Sequence, residues 1–376
     1  MIHIFKKNFH FIPVPPLLAI TLFFIIGIIW YSIFTIFCGI FALLLCYSLC
    51  AYIIKLPFSK QLILCSFFTC LGAWLHHKNI NDYNSFYTFI DNKKFTIQGM
   101  VIDKYETTVA RYQKSTVVVV AIDTIMANNC YKKSNKTILF YCKNYDDIVV
   151  GDTITINNIV CKRPVNKSFI QYQIKEQIVA TVFNNISYAI DHHPTWSLRY
   201  WIWNQKKRLF EGLSNKLSPD TFNFFSSLFL GNRLYIKDSL EKTNDQFKTW
   251  GISHFLARSG LHLALFIFIW QAIFCIIPLP LMIKQIILII LSCIYFILTW
   301  TSAPFTRSFA LFILNKVCFF IKVPFHLVHY VLFVCLCFLL YCPLYIFFLD
   351  FQLSFGLTFA LAWFQQLSTQ FSDFRK

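Results

Sequence analysis

Charge is what this chain has least of. Asp, Glu, Lys and Arg make up 14% of its 376 residues, against about a quarter in an ordinary soluble domain, while apolar residues reach 57%. That mixture excludes a soluble globular protein and leaves a membrane protein. Acid is scarcer than base, with 17 Asp and Glu against 34 Lys and Arg, and none of the acid lies in residues 1–77. Neither a glycine-rich Walker loop nor an HxHxDH-type metal cluster is present, so nucleotide hydrolysis and metal-dependent hydrolysis have no visible machinery. No enzyme activity and no cofactor are expected; any driving force comes from elsewhere. C-x-x-C and zinc-type spacings are missing too, and 11 of the 14 Cys lie inside apolar runs, where a thiol behaves as a small hydrophobe. Cys130, Cys142 and Cys161 fall in polar sequence. An oxidising compartment would allow one bridge there, with Cys130 and Cys142 the candidate pair and one thiol left over.

What is present is mostly apolar and basic. Phe alone contributes 44 residues, and several windows exceed the roughly 20 helical residues needed to cross a hydrocarbon core. The formal net charge of +17 is spread rather than gathered in a tail, with +4 in residues 1–77, +5 in 78–190, +3 in 191–250 and +5 in 251–376. A distributed positive field suits an anionic partner: nucleic acid, an anionic solute or an anionic lipid surface. Basic cytoplasmic loops of a membrane protein give the same balance.

Four regions follow along the chain. Residues 1–77 hold Lys6 and Lys7, then a stretch without charge from Leu17 to Ile54, too long for a signal peptide and read as two helices. Lys55 and Lys60 precede "QLILCSFFTCLGAWLHH", residues 61–77, a third span. With those four lysines inside, the third helix delivers residues 78–190 to the outer face. There the pattern turns to short runs rich in Val, Ile and Thr, "KFTIQGMVID", "STVVVVAIDTIM", "KTILFYCK", "DTITINNIVC" and "EQIVATVF". Five such runs predict a small barrel of the OB type, which serves either to bind single strands or as a purely structural unit. Residues 191–250 return to helical spacing, and "WSLRYWIWNQKKRLFEGLSNKL" predicts a helix at the membrane interface anchored by Trp196, Trp201 and Trp203. Ser218 or Asp220 can cap the next helix and Gly231 can end it. Residues 251–376 are apolar again, divided at Pro278 and Pro280, at residues 302–304, at Pro324 and at Pro343 into about five helical segments. The fold class is a polytopic α-helical membrane protein with an inserted OB-like β domain.

Polar residues inside the last region bear on function. "GISHFLARSGLHLALF", residues 251–266, carries His254, Arg258 and His262 every four residues, one stripe on a helix. Ionisable groups at membrane depth are costly and mark pathways. Eight residues of continuous helix separate the histidines by roughly 12 Å, too far to share one metal ion unless the chain breaks at Gly260. Ser259 and His262 could form a nucleophile pair, but no orienting acid stands nearby. Arg258 as a permanent cation, the histidines as donors, and Ser259 with Gly260 allowing close backbone approach would suit a passing polyanion. A gate or helix-packing motif is the alternative. "TSAPFTRSFALF", residues 301–312, sets Arg307 beside a proline break, where it could line the same path or anchor a helix end. "LDFQLSFGL", residues 349–357, adds a second polar group of Asp350, Gln352 and Ser354.

These stretches resemble the ComEC family of bacterial competence proteins, the inner-membrane channels for transforming DNA. "GISHFLARSGLHLAL" resembles the family's G-x-S-H-L-L-A-[IV]-S-G-L-H segment and is preceded by "LFLGNR"; "SAPFTRSFALF" resembles its helix with a buried Arg, and "CPLYIFFLDFQLSFGL" its proline-to-FQLSF segment. The order is right, and the N-terminal helices and OB-like domain agree over nearly all the chain. Arg258 stands where the family has Ile or Val. The resemblance implies a multi-pass protein of the bacterial cytoplasmic membrane that takes up single-stranded DNA, with His254, Arg258, Ser259, Gly260, His262 and Arg307 along the route. It further implies an external DNA receptor, an ATP-driven motor and a separate nuclease as partners, with a homo-oligomer among the assemblies. Full-length relatives continue into a metallo-hydrolase-like domain, so the chain is read as a C-terminally short form. A transporter for a smaller anionic solute, or a truncated remnant without activity, are the other readings.

Overall fold

The computed structural model describes residues 16–34, 59–90, 94–109, 113–127, 130–142, 147–183, 187–193, 197–226, 229, 249, 260–299, 302–324 and 326–373. Within them the chain forms helices α1 (Pro16–Phe34) and α2 (Ser59–Ile90), then strands β1 (Phe95–Val109), β2 (Gln113–Ala127), β3 (Cys130–Lys133), β4 (Thr137–Cys142) and β5 (Thr153–Ile159). Helix α3 (Lys167–Lys175) leads to strands β6 (Ile178–Val182) and β7 (Ser187–His192), followed by α4 (Leu198–Ser214) and α5 (Pro219–Phe225). The apolar region supplies α6 (Gly260–Ile276), α7 (Leu281–Leu298), α8 (Ala303–Ile321), α9 (Leu327–Tyr341), a 3-10 turn (Pro343–Phe347) and α10 (Leu349–Asp373). Of the expected breaks, Pro278, Pro280 and Pro324 fall between these segments, whereas Pro304 lies in the first turn of α8 and Pro343 opens the 3-10 turn. α7 and α8 are long and apolar enough to cross a membrane. Ile286, Ile290, Ile294 and Ile297 form an exposed apolar ridge along α7, a face suited to lipid.

The structure divides into two units, one of Met1–Asp82 with Ala310–Lys376 and one of Tyr83–Phe309. In the first, α9 packs on α1 and α10 around Phe24, Ile28, Val331, Leu339, Phe351 and Phe355. Helices α1 and α2 approach to backbone contact. A Cβ on Gly27 would overlap the carbonyl of Thr69, and one on Gly72 would overlap the carbonyl of Phe24. Reciprocal small residues of this kind let apolar helices gain dispersion contact where burial from water offers nothing. The Tyr31 hydroxyl and His77 Nδ1 bond across the same pair of helices, and Asn81 Nδ2 lies 2.6 Å from His77 Nε2.

In the second unit a seven-stranded sheet runs β6-β4-β2-β1-β5-β7, with β3 also on β2. Only β4 and β6 pair in parallel, across the connection that contains α3; the other pairs are antiparallel. β1 and β2 are 15 residues each, and their register shifts at Gln98/Gly99 and at Val101/Asp103. Such bulges bend a strand. Gly99 allows it, because a side chain there would meet the carbonyl of Ala121. The concave core of Phe95, Ile97, Val120, Ile138, Phe140 and Ile154 is filled by the end of α2, with Tyr83, Phe86, Tyr87 and Ile90 all buried. Two phenols fasten it: Tyr87 donates to the Val179 carbonyl at 2.7 Å and Tyr83 to Gln173 Oε1 at 2.5 Å. Burial pushes both hydroxyls above the ordinary phenol pKa, so each stays a donor.

Four expectations need correction. The sheet is open, with β6 and β7 at its edges and no pairing between them among the described residues, where a small five-stranded barrel of the OB type was expected. It also extends past residue 190, since β7 ends at His192. The third apolar span is part of a 32-residue helix, longer than a crossing requires, whose last turns serve the sheet. Finally, Cys130 and Cys142 do not bridge. Cys130 lies opposite Ala127 and Cys142 opposite Thr116, eleven positions apart along β2. At about 3.3 Å per residue that is roughly 36 Å, against a Cα separation below about 7 Å for a disulfide. Cys130 is a free, exposed thiol.

Peptide mapping after maleimide treatment at pH 8 without reductant therefore finds Cys130 modified. Cys161, buried in the sheet core with its thiol pushed up to about 12 by burial, stays unmodified until the protein is denatured. Gly72→Val forces the two helices apart, and an overpacking cost of about 1–3 kcal/mol is expected as a lowered thermal midpoint in detergent.

Candidate functional site

The site is assembled from the start of α6, the end of α7 and the start of α8. Pro280 stands at the cap position of α7 and Pro304 lies in the first turn of α8, where a missing N–H costs nothing. Around this junction the hydroxyls bond to backbone carbonyls one turn back. Thr299 Oγ1 donates to the Tyr295 carbonyl at 2.7 Å, Thr306 Oγ1 to Ser302 at 3.0 Å and Ser308 Oγ to Pro304 at 3.0 Å. These three hydroxyls thus stay satisfied without water.

Gly260 and Arg307 meet here. A Cβ on Gly260 would overlap Ser308 Oγ and stand 3.0 Å from Ser308 Cβ and 3.6 Å from Arg307 Nη2. The Arg307 guanidinium donates from Nη2 to Ser308 Oγ at 3.3 Å and is half-buried. Two motifs separated by 46 intervening residues therefore share one contact, made possible by the absence of a side chain on the first residue of α6.

Aromatic rings back the junction. His262 is buried on α6 and meets the Phe229 ring edge-on at 6.0 Å. Tyr295 donates its hydroxyl to the Phe229 carbonyl at 2.9 Å and stacks on Phe266 with centroids 4.4 Å apart. Phe296 stacks on Phe309 at 4.2 Å and on Phe305 at 5.9 Å. These rings pack α6, α7 and α8 together; Phe305 and Phe309 share one face of α8, and Arg307, two positions from each, lies on the other.

Of the expected path residues, the structure brings Gly260, His262 and Arg307 to this junction. His254, Arg258 and Ser259 lie outside the described residues. Ser308 was missed, although a small residue next to the motif arginine is the signal that marks a close helix contact. The second polar group does not form one patch. Asp350 and Ser354 share a face of α10, whereas Gln352 turns to the other side and donates to the Ile346 carbonyl at 2.6 Å. Asp350 sits in the first turn, where the helix dipole favours an acid. Among the described residues no three His, Cys, Asp or Glu converge as metal ligands. The interfacial helix also differs from expectation. Trp201 is exposed, but Trp203 packs on the sheet and donates to the Lys104 carbonyl at 3.3 Å; Trp196 is outside the described residues. Ser218 Oγ accepts from the Thr221 N–H at 3.4 Å and caps α5; Gly231 is outside the described residues.

The contact between Gly260 and Ser308 is testable by compensation. Gly260→Ala is expected to lower the thermal midpoint of the detergent-solubilised chain, although Ala is the better helix former by about 1 kcal/mol. Ser308→Gly in the same chain should restore most of the loss, and the double-mutant cycle isolates the coupling.

No curated protein sequence and no solved structure matches this chain. Residues 228–376 match the model of the family described as Competence protein; residues 1–227, including the N-terminal helices and the sheet, lie outside the match, narrower than the resemblance expected over nearly all the chain. The matched stretch contains Gly260, His262, Arg307 and the 349–357 segment. Over that stretch the chain is similar to the competence protein family, in line with the ComEC resemblance of its motifs.

Proposed function

We propose that the chain is a multi-pass component of the bacterial cytoplasmic membrane that forms part of the channel taking up transforming single-stranded DNA. Its family supports a role in DNA uptake; the carrying observation for the channel is the Gly260, Ser308 and Arg307 contact inside apolar helices. A guanidinium keeps its charge at any accessible pH, and placing it at membrane depth is costly unless it faces protein, water or an anion. Its planar donors match phosphate oxygens. Phosphodiesters passing the junction would meet a cation whose position is held by Ser308 and by α6 at Gly260. Only one strand's backbone need fit such a contact.

The sheet, with Lys132 and Lys133 on β3, would receive DNA on the outer side. Receptor and motor functions belong to other proteins, since the sequence carries no nucleotide-hydrolysing loop.

The test is complementation of a transformable host lacking its own channel protein, with uptake of fluorescent DNA as readout. Arg307→Gln is expected to reduce uptake at least tenfold at unchanged membrane abundance, and Arg307→Lys to retain part of it. Uptake unaffected by either change would remove Arg307 from the path and leave the junction a packing motif.

A further inference from the structure

Helix α4 carries two chemistries on neighbouring flanks. Arg199, Ile202, Trp203 and Lys206 recur at i, i+3, i+4 and i+7 and so share one face. That face lies over Ile102, Asp103 and Ala121 of the sheet and over the turn that leads into β4, forming a half-open cleft of about 370 Å³, within the usual range for a small-ligand site. Lys136, Arg199 and Lys206 bring three cations to its lining against the one carboxylate of Asp103. Asp103 Oδ1 accepts from the Lys104 N–H at 2.9 Å, and Lys206 is close enough to favour its charged form against the opposing, larger effect of burial. Pairing Lys206 with Asp103 leaves Lys136 and Arg199 in surplus, so the cleft favours an anion.

One wall is held in an uncommon backbone state. Gln177 has φ of 57°, in the left-handed region that non-glycine residues rarely adopt. Thr137 holds it there, donating to the Gln177 carbonyl from its N–H at 3.1 Å and from Oγ1 at 2.9 Å. Both residues line the cleft. Strain of this kind persists where the surroundings impose it, and it clusters at binding sites.

Three observations identify the anion's source. The Trp203 ring is already engaged, with Tyr200 stacked on it at 6.3 Å and Lys207 Nζ 5.5 Å from its centroid, which disfavours it as a platform for a base. Beside the cleft face, Leu198 and Trp201 stand 58% and 52% exposed, one turn apart. And α4 packs against α7, a helix long and apolar enough to span. A helix that presents Leu and Trp outward, carries cations beside them and rests on a spanning helix has the composition of a membrane-interface anchor.

We propose that this cleft binds the phosphate headgroup of an anionic phospholipid, with Arg199 and Lys136 on the phosphate oxygens and with Leu198 and Trp201 in the adjoining acyl boundary. The site thereby fixes the sheet unit's own α4 to the bilayer surface, independently of whether DNA passes through the chain.

Native mass spectrometry of the full chain in mild detergent, with phosphatidylglycerol or phosphatidylcholine added, tests this. Phosphatidylglycerol is expected to remain bound and phosphatidylcholine to be lost. Lys136→Gln with Arg199→Gln should weaken phosphatidylglycerol binding about 30-fold, the loss expected for two cations at an anionic surface. Lys162→Gln, an exposed lysine absent from the lining, should change nothing. Thermal melting without lipid separates these effects from misfolding, and Arg199→Lys keeps the charge if the double variant does not fold. Equal retention of the two lipids, or phosphatidylglycerol binding unmoved in a folded variant, overturns the proposal. So does loss of binding to a single-stranded oligonucleotide with lipid binding intact, which would assign the cleft to DNA. Failure of DNA uptake with specific lipid binding preserved would count against the channel reading alone.

Discussion

Backbone contact at a few glycines governs how the apolar helices of this protein can pack. Helices dominated by Leu, Ile and Phe have no preference for one another over lipid tails, so their positions follow from shape and from the few polar groups that must be satisfied. Gly27 against Thr69 and Gly72 against Phe24 do this within the first unit, and Gly260 against Ser308 within the second. Each contact joins a glycine to a carbonyl or hydroxyl on a facing helix, so the approach distance leaves no room for a methyl group. Large aromatic side chains then fill the space beside these contacts, as Phe24, Phe351 and Phe355 do in one unit and Phe266, Tyr295 and Phe309 in the other.

The sheet solves a different problem. It is open, and a bent open sheet needs something to cover its concave face. The last turns of α2 supply Tyr83, Phe86, Tyr87 and Ile90, with two buried phenols bonded to groups at and before β6. A helix that begins in an apolar run thus ends in the core of the sheet. The same residues explain why the sequence changes character near residue 78 while the helix does not stop there.

Positive charge is placed in two settings. Arg307 sits half-buried among apolar helices and is held by a serine, where its field is less screened than in water. Arg199, Lys136 and Lys206 stand at a half-open cleft beside exposed Leu198 and Trp201, where water screens them and several cations are needed for the same effect.

Much of this was legible in the chain itself. Apolar length announced the helices, Pro278, Pro280, Pro304, Pro324 and Pro343 marked their limits, and alternating Val, Ile and Thr announced strands, because period and backbone restriction are local properties. The motif residues Gly260 and Arg307 were legible as chemistry misplaced in apolar runs. Their meeting was not, nor was the part played by Ser308, because contact across 46 residues depends on how α6 and α8 pack. Strand partners were equally hidden: the open order β6-β4-β2-β1-β5-β7 and the parallel β4–β6 pair arise from long-range register, which also carries Cys142 far from Cys130. Trp201 and Trp203 look alike in sequence, and only packing decided that one faces outward while the other closes on Lys104. Local composition determined which elements form and where charge is costly; the tertiary structure alone decided which small residue meets which cation, since that depends on distances no local pattern encodes.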